Sequence, residues 1–106
     1  MPKYLAHASY TVEGLKGLLK DGGTKRREAI EQLAKGVGGT VEAFYYAFGN
    51  DDLFVIFDLP DNVSATALSL IVNASGGAKA KVTVLLTPEE VDQATKKTVD
   101  YSPPGQ

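Results

Sequence analysis

Val41 to Pro60 reads V-E-A-F-Y-Y-A-F-G-N-D-D-L-F-V-I-F-D-L-P, two aromatic-rich runs separated by Gly49-Asn50-Asp51-Asp52. Alternate side chains along a strand point to opposite faces. On that period Phe44, Tyr46 and Phe48 share one face, and Val41, Ala43, Tyr45 and Ala47 the other. In the second run Leu53, Val55 and Phe57 oppose Phe54 and Ile56. Both faces of this predicted hairpin are apolar, so both require cover.

The rest of the chain supplies cover for one face. Lys3 to Thr11 alternates Tyr4, Ala6, Ala8 and Tyr10 against Leu5, His7 and Ser9, which predicts a first strand. Leu15, Leu18 and Leu19 then take helical spacing up to an interruption at Asp21-Gly22-Gly23. Thr24 can cap a restart, and Ile30, Leu33, Ala34 and Val37 keep one apolar face until the glycines at 36, 38 and 39. Beyond Pro60, Asp61 or Asn62 can cap a helix through Ala74. Lys81 to Leu86 predicts a fourth strand. Thr87-Pro88-Glu89-Glu90 is a capping box with proline at the first helical position, so a short helix should run to about Thr98. Tyr101 to Gln106 is an extended tail.

The order β-α-β-β-α-β predicts an α+β domain, a ferredoxin-like split βαβ with a four-stranded antiparallel sheet and a short C-terminal helix. Both long helices then cover one sheet face and leave the other bare. With about three large apolar residues per aromatic strand on the bare face, stacking two sheets is the expected solution. The expected assembly is a homodimer, or a higher homo-oligomer, of dimeric α+β barrel type.

Composition adds exclusions. A chain of 106 residues with 43% hydrophobic and 23% charged residues matches an ordinary single globular domain. A net charge of -2 gives no general attraction to nucleic acid or anionic membrane, and neither is an expected partner. Without cysteine there is no disulfide and no thiolate metal centre. No signal-peptide or transmembrane pattern is present, so a cytoplasmic location is the expectation.

Several segments, taken together, resemble the GYD-domain family over nearly the whole length. They are Tyr10 to Leu15, Lys20 to Arg27, Phe44 to Gly49, Asp58 to Asn62, and Val84 to Glu90. The family is named for a glycine followed closely by Tyr-Asp; here the loop reads Gly49-Asn50-Asp51-Asp52, without the tyrosine. The resemblance implies a ferredoxin-like dimeric barrel, with residues 1–100 as one GYD-type domain and 101–106 as a tail. It implies no particular activity and carries over no catalytic residues.

Candidate chemistry is sparse. His7 is the only histidine, and with Ser9 it should face away from the helices if Ala6 and Ala8 are small because helices pack on them. Lys81 and Thr83 of the fourth strand could join them, making a small polar cluster in an apolar cavity. The alternative is a histidine satisfied by hydrogen bonds at an interface. Tyr45 and Tyr46 point to opposite faces, so at most one of them could line that space, and the alternative for either is strand packing with a hydrogen-bonded tip. Asp51, Asp52 and Asp58 lack metal-ligand spacing and read as turn residues. Lys25-Arg26-Arg27 reads as a charged helix face, paired with Glu28 and Glu31, rather than a phosphate site. There is no P-loop, G-x-G-x-x-G, G-x-S-x-G or H-E-x-x-H, and neither cofactor nor metal is expected. His7, Ser9, Tyr45 and Thr83 therefore stand as ligand-binding candidates. The leading expectation is a homo-oligomeric small-molecule-binding protein. One alternative is a cofactor-independent enzyme, by analogy with monooxygenases and isomerases of this fold. The other is a structural assembly module without ligand.

Overall fold

Each strand and helix begins where the local chemistry provides a start. The computed structural model describes residues Met1–Gln106. Its elements are β1 (Lys3–Tyr10), α1 (Val12–Asp21), α2 (Gly23–Gly36), β2 (Thr40–Tyr46), β3 (Leu53–Asp58), α3 (Asn62–Ala74), β4 (Ala78–Leu85) and α4 (Pro88–Thr95). The four strands form one antiparallel sheet in the order β2-β3-β1-β4, the split βαβ arrangement expected from the sequence.

Thr11 caps α1 by accepting from the Gly14 N–H, and its hydroxyl also donates to the Gly76 carbonyl, tying the end of β1 to the start of β4. Asp61 caps α3 by accepting from the Ser64 N–H, a bond that holds its carboxyl below its ordinary value. Thr87 and Glu90 form the full capping box of α4. Thr24 does not cap α2; that helix starts at Gly23 behind Gly22, whose φ of 83° turns the chain without a side-chain cap. α1 meets the body closely at Gly14, where a methyl group would overlap the Gly77 carbonyl.

The core lies between the sheet and α2 and α3. Tyr4, Ala6 and Ala8 of β1, and Leu53, Val55 and Phe57 of β3, are buried against Ala34, Leu59, Ala65 and Leu68. Ala6 and Ala8 are small on this side because a helix layer sits on them. The opposite sheet face has no layer of its own.

The bare face is less apolar than strict alternation predicts. Val41 pairs with Phe57, and Ala43 pairs with Ile56, so Glu42 is an extra residue in a β-bulge. The bulge turns Val41 to the helix side with Phe44 and Tyr46. The bare face therefore receives Ala43 and Tyr45 from β2 and Phe54 and Ile56 from β3, two residues per strand rather than three. Phe48 lies past the end of β2, exposed and stacked on Tyr46 at 6.4 Å.

β4 begins at Ala78, before the expected Lys81, and ends at Leu85. The Asn73 side chain donates to the Ala80 carbonyl and accepts from the Ala80 N–H, satisfying backbone on this outer strand. α4 ends at Thr95, short of Thr98, and residues 86–106 are exposed throughout. With nothing packed against it, α4 has no apolar burial to prolong it. No helix is long and apolar enough to cross a membrane.

Candidate functional site

Register alone places the sequence candidates on the uncovered face. In β1, Leu5, His7 and Ser9 point away from the helices, and His7 stands opposite Lys81 of β4 and Phe54 of β3. Ser9 stands opposite Lys79, and Leu5 opposite Thr83. Tyr45 pairs with Phe54 on the far side of β3. The face thus has Tyr45, Phe54, Ile56 and Leu5 as an apolar middle.

Each end of that middle is polar. At one end Lys3 bridges Asp58 at 2.8 Å and Glu42 at 2.9 Å; the Asp58 bond first, then Glu42, holds the ammonium above its ordinary value. At the other end His7 Nδ1 lies 3.1 Å from Asp51 Oδ2, with the imidazole stacked near Phe54 at 6.3 Å. Ser9 Oγ donates toward Asp51 Oδ1 and the Asn50 carbonyl, each at 3.3 Å. A carboxylate only accepts, so Nδ1 is the donor in this contact and Nε2 is left for other partners. The His7 side chain is 25% exposed, enough for a ligand to reach the ring from the open face.

The loop is pinned so that Asp51 arrives there. Asp52 N–H donates to the Ala8 carbonyl at 2.8 Å, and Asp52 Oδ2 accepts from Tyr10 N–H at 2.9 Å. Asp52 therefore extends the β1–β3 pairing by one step, leaving Asp51 to reach over the sheet edge toward His7. A shallow depression of about 500 Å³ surrounds the cluster, lined by His7, Ser9, Asp51, Asn73, Lys79 and Lys81.

Of the four sequence candidates, His7 and Ser9 are brought together. Thr83 lies along β4 opposite Leu5, and Tyr45 lies two strands from β1, so neither joins the cluster in a single chain. Sequence reasoning passed over Asp51 as a turn residue and did not reach Lys79, because it started the fourth strand at Lys81 rather than Ala78. The antiparallel pairing of His7 with Phe54 carried the missing signal, because it places residues just before Leu53 beside the end of β1. The three loop and strand carboxylates have separate partners: Asp51 has His7, Asp52 the Tyr10 backbone, and Asp58 Lys3.

The family model described as GYD domain matches residues 4–95, and the chain belongs to that family. No curated protein matches it.

Proposed function

We propose that this GYD-domain protein is a homodimer that stacks its bare sheet faces and binds a small organic molecule over the His7–Asp51 pair. The observation that carries this reading is the placement of that pair. A hydrogen-bonded imidazole and carboxylate border an apolar band that one subunit leaves open. Apolar walls with a few convergent polar groups are the usual composition of a small-molecule site. Lys79 and Lys81 beside His7 add positive charge, which favours a ligand with an acidic group. In the stacked dimer Tyr45 and Thr83 return as candidate walls, contributed by one copy against the other.

The pair also favours a second reading, proton transfer without a cofactor. Asp51 orients the ring through Nδ1, leaving Nε2 as a general base.

The test is thermal unfolding of the native protein and His7→Ala against a panel of small organic acids and their neutral amides. A stabilising acid whose effect disappears in His7→Ala, with the dimer mass unchanged, supports the binding reading. Loss of about 1–3 kcal/mol in His7→Ala, with no ligand for the native protein, would retire it and leave His7 as an interface residue. Turnover of the bound acid that fails in Asp51→Asn while binding persists would favour the second reading.

A further inference from the structure

On the opposite side of the sheet from His7, α1, α2 and α3 leave a cavity of about 380 Å³. It is a cleft open to solvent on one side, and its volume falls in the range of small-molecule sites. The cleft arises because β1 and α1 present Ala8 and Gly17 toward it, while Ile30, Leu33, Ile71 and Val72 form apolar walls. α1 roofs the space without fully burying any of its own side chains.

Three polar side chains line this apolar space, Arg26, Tyr10 and Ser75, and the Ser75 hydroxyl already donates to the Val72 carbonyl at 2.6 Å. Arg26 differs from its neighbours on α2. Lys25 pairs with Asp21 at 3.8 Å and Arg27 with Glu31 at 3.9 Å, whereas Arg26, half-buried between them, pairs with no carboxylate. Burial pushes the Tyr10 phenol up to about 12, with Tyr46 acting in the same direction and Arg26 opposing, so at neutral pH Tyr10 presents an O–H donor next to a guanidinium. A planar fork and a phenol, both donors, at one side of an apolar chamber match a carboxylate carrying a hydrocarbon body.

We propose that this cavity binds an apolar monocarboxylate, with its hydrocarbon body between α2 and α3 and its carboxylate on Arg26 and Tyr10. Such a site is separate from the His7–Asp51 face, because the sheet lies between them.

The test is calorimetric titration of the native protein with octanoate and with octanol, repeated on Arg26→Gln, Gly17→Phe and His7→Ala. Octanoate should bind at least tenfold more tightly than octanol, and Arg26→Gln should erase that preference. A Cβ at Gly17 meets nothing within 4 Å, so Gly17→Phe can turn its ring into the chamber without displacing backbone. Glycine is also the poorest ordinary helix former, so this variant should unfold no earlier than the native protein while losing octanoate. His7→Ala should bind octanoate normally. The proposal is overturned if octanoate does not bind, if octanol binds equally well, or if binding survives Gly17→Phe. Loss of octanoate binding in His7→Ala also overturns it, by placing the acid on the other face.

Discussion

Tyr45→Asp is the sharpest perturbation of the proposed dimer, because Tyr45 is largely exposed in the isolated subunit and contributes little to its core. It is 72% exposed, and it lies on the bare face opposite Phe54. A tyrosine has about 200 Å² of surface to bury, so about 140 Å² remains for a partner to cover. In a two-fold dimer both copies are covered, and at about 25 cal/mol per Å² this amounts to about 7 kcal/mol. The polar phenol tip reduces the figure to about 5 kcal/mol, and an aspartate at an apolar interface adds a desolvation penalty. Each 1.4 kcal/mol is about tenfold in affinity, so the dimer should weaken at least a thousandfold. Sedimentation equilibrium from low to high micromolar concentration should show the native chain at twice its 11.2 kDa mass. The variant should sediment as a monomer across the same range. Urea unfolding of the monomeric variant should remain cooperative, since Tyr4, Val55 and Phe57 of the helix-side core are untouched. A native protein that stays monomeric, or a variant that dimerises as tightly as the native chain, would refute the reasoning.

Three further outcomes are expected. Thr87→Ala should cost α4 about 0.5–2 kcal/mol, seen as faster amide exchange across Val91 to Thr95, with the midpoint of global unfolding unmoved because α4 buries no residue. Gly14→Ala should destabilise the whole domain by several kcal/mol in urea unfolding, since its methyl meets the Gly77 carbonyl rather than a movable side chain. Tyr10 ionises at about 12 in the folded chain against an ordinary 10.0, so the native state keeps a proton that the unfolded state has lost. Its contribution is complete below pH 10 and drains away between 10 and 12. The full gap is worth about 3 kcal/mol, and solvent screening of this partly exposed phenol reduces the expected loss to about 1 kcal/mol. Tyr10→Phe should lack this loss when urea unfolding at pH 9.5 and 11.5 is compared with the native chain, and equal losses in both would contradict the assignment.

Local chemistry in the chain is enough to determine the element order. The Asp61 and Thr87 caps, the strand alternation of Tyr4, Ala6 and Ala8, and the glycines that end the helices all act within a few residues of their own position. From that order, an antiparallel sheet with helices on one face follows, because right-handed crossovers leave few other arrangements. The side of β1 on which His7 and Ser9 stand was equally legible, since two small alanines mark the helix side. Tertiary structure decided what period alone cannot encode. The bulge at Glu42 reverses the face of Val41, a shift that depends on the pairing partner and leaves no mark in a strict alternation. The bond between His7 and Asp51 joins residues 44 positions apart, and it exists only because Asp52 extends the β1–β3 register and carries Asp51 over the sheet edge. The cavity at Arg26 has the same origin. Its small residues come from β1 and α1 and its walls from α2 and α3, and only the packing of those elements reveals that the space between them is left unfilled.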